Sequence, residues 1–331
     1  MEVLAMTKVL VTGGTGFIGS NLTRALVEQG FEVKVFDNNF RGKSSNLNGI
    51  LEEIEVVEGD IRNYEDVQRA VNGIETVFHL AYINGTEYFY SRPRLVLDVG
   101  VRGQLNMIDA AEDAGVKNFI YASSSEVYQV PPQIPTPEEV PLSIPSVSNP
   151  RYSYGGGKII SELMLLHYAD STMMRRIIFR PHNVYGPNMG LEHVVPQIIK
   201  KMYLATNGFC KAEAEITIQG MGDETRAFCY VDDAVRGIMI TAEKGANGDI
   251  LHVGKDDEIS IRSLIRTIAE ICNVKVNINS GPLAEGGTNR RCPDITRLRK
   301  LGYIPQVDLN QGLSRTVTWY KNYYKENTPT K

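Results

Sequence analysis

An α/β fold built on a doubly wound parallel sheet is what this 331-residue chain predicts, and three observations carry it. Short apolar runs alternate with amphipathic segments from Lys8 to about Arg180, the pattern of a parallel sheet with helices on both faces. The first run, Lys8-Val9-Leu10-Val11-Thr12, goes straight into a turn with glycines at 13, 14, 16 and 19 and then into a helix-period segment. The second run, Glu32-Val33-Lys34-Val35-Phe36, ends on Asp37, which completes a Rossmann-type succession of strand, tight turn, helix, strand and acid. The length also leaves room for a smaller C-terminal lobe beside that core.

Taken in order, strands are expected at Lys8–Thr12, Glu32–Phe36, Ile54–Glu58, Thr76–Leu80, Asn118–Ala122 and Arg176–Arg180. Helices are expected at roughly Phe17–Gln29, Tyr64–Val71, Leu95–Ala114 and Tyr154–Ala169. In the first turn Gly13 supplies backbone angles closed to other residues, and Gly16 lets a pyrophosphate approach the main chain with no Cβ in the way. The helix behind them offers free N–H groups and a positive dipole end to an anion. A glycine-rich turn without a ligand is the plain alternative, and Asp37 argues against it, because a carboxylate there holds adenosine ribose hydroxyls. Its charge would repel a 2′-phosphate, which favours NAD over NADP. Asp60 closes the third strand, where it either reaches an adenine amino group or caps the next turn. Ala81 leaves room for the cofactor, and the loop Tyr82-Ile83-Asn84-Gly85-Thr86-Glu87-Tyr88 offers aromatic and amide groups to a sugar.

The chemistry is expected in the next stretch. Tyr121-Ala122-Ser123-Ser124-Ser125-Glu126-Val127-Tyr128 leaves the fifth strand with three hydroxyls and a carboxylate at the sheet edge. Tyr154 and Lys158, four apart, share one helix face. A nearby ammonium, helped by a positively charged nicotinamide, lowers a phenol pKa so that Tyr154 can act as a base near neutral pH. A chance Tyr–Lys spacing is the alternative, and it loses weight after a dinucleotide turn and a serine-rich strand end. Between the two pieces lies Gln129 to Pro150, rich in proline; a loop of this length is expected to form an ordered cover over the site.

Composition excludes other classes. Net charge is −4, with 42% hydrophobic and 22% charged residues, so no nucleic-acid or membrane surface is indicated. No apolar run reaches the roughly 20 residues of a membrane span. Glu2 stands where a signal peptide would be basic, and Met6 is an alternative start. Cys210, Cys229, Cys272 and Cys292 show no Cys-x-x-Cys pair, so free thiols in a reducing cytoplasm are expected. The five histidines form no ligand-spaced cluster, and no metal site is expected.

Nine motifs taken together carry a resemblance. Thr12-Gly-Gly-Thr-Gly-Phe-Ile-Gly19, Asp37-Asn38, Gly59-Asp60-Ile61, His79-Leu80-Ala81 and Ser123-Ser-Ser-Glu-Val-Tyr128 lie in the first half. Tyr154-x-x-x-Lys158, Arg180-Pro-His-Asn-Val-Tyr-Gly-Pro187, Arg226-x-Phe-Cys-Tyr-Val-Asp-Asp233 and Arg291-x-Pro-Asp294 follow. The chain resembles the extended short-chain dehydrogenase/reductases, within them the NAD-dependent nucleotide-sugar epimerase/dehydratase family, over nearly its whole length. The resemblance implies an NAD-binding domain over residues 1–182 plus about 223–255. It implies a nucleotide-sugar-binding lobe over about 183–222 plus 256–331, and commonly a homodimer built on two helices per subunit. It makes Tyr154 the base, Lys158 its partner and ribose contact, and Ser124 the catalytic serine. Cofactor candidates are Gly13, Gly16, Phe17, Ile18, Asp37, Asn38, Asp60, Ile61, Leu80 and Ala81 with Tyr154 and Lys158. Substrate candidates are Tyr82, Ser125, Asn183, Arg226 and Arg291, the arginines as phosphate forks. For Arg291, a solvated basic helix face is the alternative.

Three departures stand out. Gly100 and Gln104 occupy positions where the family has Asn and Thr, three glycines follow Tyr154, and Ala205 to Glu215 is long enough to shape the sugar pocket or a subunit contact. All NAD-retaining members begin with C4 oxidation of the sugar, and the 4-ketone then decides the outcome. The reading taken from the sequence is a nucleotide-sugar 4-epimerase. A glucuronate-type decarboxylase, a 4,6-dehydratase or a C4 dehydrogenase are the alternatives on the same scaffold, and a non-catalytic NAD-binding regulator is the alternative of another class. Glu126 bears on the choice, because the family's dehydratases and decarboxylases carry a Glu there; its plain alternative is a turn cap. Ser125 stands where thymidine-diphosphoglucose dehydratases have Asp, and GDP-mannose dehydratases have Ser.

Overall fold

Alternation along the first strands decides the layers. In β1 (Lys8–Thr12) Val9 and Val11 point into one apolar cluster and Leu10 into another on the opposite face. In β2 (Glu32–Asp37) Val33 and Val35 join the first cluster and Phe36 the second. Strands buried on both faces suit a parallel sheet covered by helices on each side. The computed structural model describes residues 7–170, 172, 174–282 and 288–327, and the alternative start Met6 lies outside them.

The main sheet adds β3 (Ile54–Glu58), β4 (Thr76–His79), β5 (Asn118–Ala122), β6 (Arg175–Pro181) and the strand Ile250–Val253. All seven strands are parallel, in the order β3-β2-β1-β4-β5-β6 and then Ile250–Val253. The direction of growth reverses between β1 and β4, which opens a crevice at their carboxyl ends. The seventh strand, unlisted among the expected ones, is four residues long and returns to the sheet far along the chain. Helix α1 (Phe17–Glu28) and the helix Val231–Lys244 cover one face. Tyr64–Val71, Gly103–Asp113 and Ser153–Leu163 cover the other.

Two expected helices carry π turns, at Asp98–Arg102 before Gly103–Asp113 and at Met164–Tyr168 after Ser153–Leu163. Part of the expected aromatic loop is helical, Thr86–Ser91. Outside the main sheet, Glu213–Gln219 pairs with Lys275–Gly281, and the helices Val194–Ala205, Ile261–Ile271 and Leu309–Glu326 pack together.

Two expectations are corrected. The proline-rich segment 129–150 does not line the cleft. It is strapped beside the cleft, where Thr136 exchanges 2.8 Å backbone hydrogen bonds with Cys292 and Asp294, Glu138 accepts from the His252 N–H at 3.0 Å, and the Ser143 N–H donates to the Val127 carbonyl at 3.0 Å. Residues 205–215 do not line the cleft either, which removes the sugar-pocket half of that expectation and leaves the subunit contact untouched: their length goes into a left-handed turn at Asn207, Gly208 and Phe209 and into the strand that follows.

Candidate active site

The glycine turn is shaped by its neighbours. Gly13 has φ +70°, and a Cβ on it would lie 2.8 Å from the Ala81 nitrogen. Gly16 caps α1 without any side-chain bond, and the first turn holds no acid, so the helix N–H groups stay free for an anion. A Cβ on Gly16 would crowd the Gly13 carbonyl at 3.1 Å. Asp37 is aimed by two backbone donors, Thr15 N–H at 3.0 Å and Asn39 N–H at 2.9 Å. Asp60 is gripped by Arg62 Nε at 3.0 Å and Nη2 at 2.7 Å, and receives Asn38 Nδ2 at 3.0 Å. Its hydrogen bonds from Arg62 hold its carboxyl below the usual range against the opposing effect of burial. These residues, with Phe17, Ile18, Ile61, Leu80 and Ala81, line one cleft of about 640 Å³. An uncapped helix end, a cradle without Cβ atoms and an oriented carboxylate fit a dinucleotide.

The expected catalytic group lines the same cleft: Ser124, Ser125, Glu126, Tyr154 and Lys158. The strand end at Ala122 turns through a short 3₁₀ segment in which Ser124 Oγ accepts the Glu126 N–H at 3.1 Å. Tyr154, 5% exposed, lies between Phe89, stacked at 4.9 Å, and Tyr82, edge-on at 5.1 Å. Lys158, 2% exposed, donates to the Ala122 carbonyl at 2.6 Å. Behind them Ser123 hydrogen-bonds Glu162, which Arg180 Nε also grips at 2.8 Å.

The electrostatics correct one expectation. Burial pushes the Tyr154 phenol up, the Ser124 hydroxyl pulls it back, and Glu126 adds to the rise. Burial also drives Lys158 well below the ordinary lysine range, with Glu162 opposing. Lys158 Nζ is 5.9 Å from the Tyr154 ring centroid and is committed to a carbonyl, so the lysine of the chain alone does not acidify the phenol.

The substrate candidates divide. Arg291 lies on a strand, not a helix face, and its Nη1 meets Glu126 Oε1 at 2.6 Å on the cleft wall. Burial alone would raise the Glu126 carboxyl, but Arg291, with Arg151 and Arg226 behind it, holds it below the usual range. Arg226 is brought near but does not line the cleft; its guanidinium donates to the carbonyls of Thr225 and Thr288, at 2.8 and 2.6 Å. Burial, then the charge of Arg291, lowers it to about 10. It backs Arg291 instead of forming a second fork. Asn183, at φ 40°, lines the cleft while its Nδ2 donates to Ala227 at 3.1 Å. Tyr82 lines the cleft, but its hydroxyl is buried without a partner, so only its ring is offered to a ligand.

The model of the NAD dependent epimerase/dehydratase family matches residues 9–254. The chain belongs to that family. It is therefore an NAD-dependent enzyme of the extended short-chain dehydrogenase/reductase class. A UDP-N-acetyl-alpha-D-glucosaminuronate decarboxylase of Bacillus cytotoxicus is 31% identical over 95% of this chain and 98% of its own. A crystal structure of a UDP-glucose 4-epimerase from Thermotoga maritima, with UDP-glucose, superposes with a TM-score of 0.85 at 29% identity, covering 96% of this chain and 99% of that one. A dTDP-glucose 4,6-dehydratase from Streptomyces venezuelae, with NAD and TYD bound, gives 0.85 at 28% identity, covering 97% and 98%. Relatives of this epimerase/dehydratase family thus span three outcomes.

Several residues of the cleft were not singled out by sequence. Phe89 stacks on Tyr154 from the helix Thr86–Ser91, just past the stretch read as loop. Arg41 pairs with Glu192 across the cleft wall, and Trp319, Tyr320 and Tyr323 of the C-terminal helix also line it. Their only sequence signal was an aromatic run, the ordinary mark of a packed helix. Among the described residues no helix is long and apolar enough to cross a membrane.

Proposed function

We propose that this enzyme oxidises C4 of a UDP-uronate-type nucleotide sugar and releases the C5 carboxylate as carbon dioxide. The observation that carries the reading is the Glu126–Arg291 pair, 2.6 Å apart on the wall that also holds Ser124 and Tyr154. Arginine is the geometric partner of a carboxylate, and its placement beside a carboxylate that is free to become an acid suits a β-keto acid intermediate. Relatives named UDP-glucuronic acid decarboxylase, from Xenopus tropicalis at 30% identity and Arabidopsis thaliana at 28%, support it.

In this reading Tyr154 takes the C4 hydroxyl proton and Ser124 hydrogen-bonds the C4 oxygen. NAD, held by the glycine turn and Asp37, supplies a hydride acceptor and the positive charge that lowers the phenol. Arg291 swings its guanidinium from Glu126 to the substrate carboxylate. The C5–carboxylate bond breaks, its electron pair passes to the C4 oxygen, and carbon dioxide leaves. Glu126, buried and now without its partner, takes a proton from solvent, because burial is the largest influence on it and acts upward. It delivers that proton to C5.

The second reading, a 4-epimerase, shares the first half-reaction and rests on the Thermotoga maritima likeness. We assign the lobes as the sequence divides them, supported by the return of Ile250–Val253 to the main sheet. We also infer a homodimer through the adjoining helix faces that expose Leu97, Ile160 and Leu163. The test is purified enzyme with UDP-glucuronate, UDP-N-acetylglucosaminuronate, UDP-glucose and dTDP-glucose, read by product mass and stereochemistry. Loss of carbon dioxide supports the proposal; an inverted centre at unchanged mass selects the epimerase, and loss of water the dehydratase. Glu126→Gln should keep C4 oxidation and carbon dioxide release but slow proton delivery to C5, read as slower formation of the C5-protonated product; an unchanged rate of that step, or loss of C4 oxidation, would remove the role given to Glu126.

A further inference from the structure

Two of the departures from the family pattern meet at one side chain. Gly100, in the π turn, and Gly157, in the helix of Tyr154, face each other across Tyr82, and a Cβ on either would overlap the Tyr82 hydroxyl. The two backbones are tied here by Ser161 Oγ, which donates to the carbonyls of Gly157 at 2.8 Å and Gly100 at 3.1 Å. The space freed by two small residues is filled by one large ring.

That ring lies beneath the lysine. Lys158 Nζ is 3.9 Å from the Tyr82 centroid and 4.7 Å from the Tyr121 centroid, well inside cation–π range. The groups around the ammonium are Tyr82, Tyr121 and His79 from three chain segments, Tyr154 and Glu162 from its own helix, and the Ala122 carbonyl. Glu162, the one acid of that helix, is already engaged by Arg180 and Ser123. His79 is kept neutral by burial. Ring faces therefore stand where a charged partner would otherwise be needed.

We propose that Tyr82 is a positioning residue for Lys158: its ring, wedged into the room left by Gly100 and Gly157, forms with Tyr121 an aromatic seat whose cation–π attraction offsets part of the cost of burying the ammonium and fixes its place beside the Ala122 carbonyl. The proposal rests on Tyr154 and Lys158 being the working pair, and not on which sugar is used. The hydroxyl of Tyr82, buried without a partner, takes no part.

The test needs no substrate. In NAD-loaded protein the ionisation of Tyr154 is followed by ultraviolet difference absorbance, each variant being measured against its own Tyr154→Phe counterpart. Tyr82→Phe keeps the ring and should titrate with the parent. Tyr82→Leu removes the ring face, and the phenol should ionise about one pH unit higher, a tenfold smaller phenolate fraction at neutral pH. Equal titration of the Leu variant and the parent overturns the proposal, as does a Phe variant shifted as far as Leu. Where Tyr82→Leu does not fold, packing gives the second arm. Gly157→Ser should lose NAD on gel filtration and melt earlier, and Tyr82→Ala/Gly157→Ser should recover both. A Gly157→Ser protein that retains NAD and melts with the parent refutes the wedge, and so does a double variant that recovers neither. A product other than carbon dioxide would sink the decarboxylase reading and leave these results untouched.

Discussion

Glu162→Gln tests the buried support of the active-site turn. Both partners are almost sealed, with side chains 2% exposed in Arg180 and 4% in Glu162, and the guanidinium meets both carboxylate oxygens. Burial works against the charge on Arg180, and the Glu162 carboxylate more than offsets it, holding the arginine above its ordinary range. Removing the carboxylate's charge strands a buried cation, which costs about 3–5 kcal/mol. With a urea slope of about 3 kcal/mol/M for a chain of this size, the midpoint should fall by about 1–1.7 M. The assay is urea unfolding of NAD-saturated protein, followed by Trp319 fluorescence. The double variant Arg180→Met/Glu162→Met leaves no buried guanidinium and should lose clearly less than the single variant, since the two acceptors Arg180 leaves keep partial partners, although Ser123 and Lys158 still lose Glu162. A single variant costing less than about 1 kcal/mol, or a double as costly as the single, would refute the reasoning.

Other outcomes follow from the same geometry. Gly13→Ala should purify without NAD, because the added Cβ meets the Ala81 nitrogen at 2.8 Å and φ is +70°; absorbance after unfolding counts the cofactor. Three buried histidines and one half-buried one predict acid sensitivity: burial, the largest cause at each, pushes His79 and His252 down to about 3, the half-buried His193 to about 4, and His182 well down. A folded pKa below the unfolded one gives stability that is present above pH 6.5 and lost below it, by about 1.4 kcal/mol per pH unit for each histidine. Urea midpoints equal at pH 7.5 and pH 5 would contradict this. Arg41→Ala, which releases Glu192 and uncovers Tyr88, should raise the rate of NAD loss in dilution experiments by severalfold; an unchanged rate would show that the pair does not close the cleft.

Strong local patterns survived the passage to three dimensions. Lys8–Thr12, Ile54–Glu58 and Asn118–Ala122 are strands with the expected bounds, because apolar runs between glycine and polar turns leave little choice of period. Boundaries moved where tertiary partners intervened: β4 stops at His79 because the next N–H is taken by Thr12. The proline segment and the stretch after Ala205 were misplaced because length and composition say that a loop is ordered and not what it lies against.

The sequence by itself determined the sheet, the glycine turn with its acid, and the pairing of Tyr154 with Lys158 on one helix face, since each follows from residues close together in the chain. Only the tertiary structure decided what surrounds that pair. Glu126 meets Arg291 across 165 positions, and Tyr82 fills the space between Gly100 and Gly157. The reason is physical: period and turn chemistry act over a few residues, whereas burial, ion pairing and shape act on whatever the fold brings together.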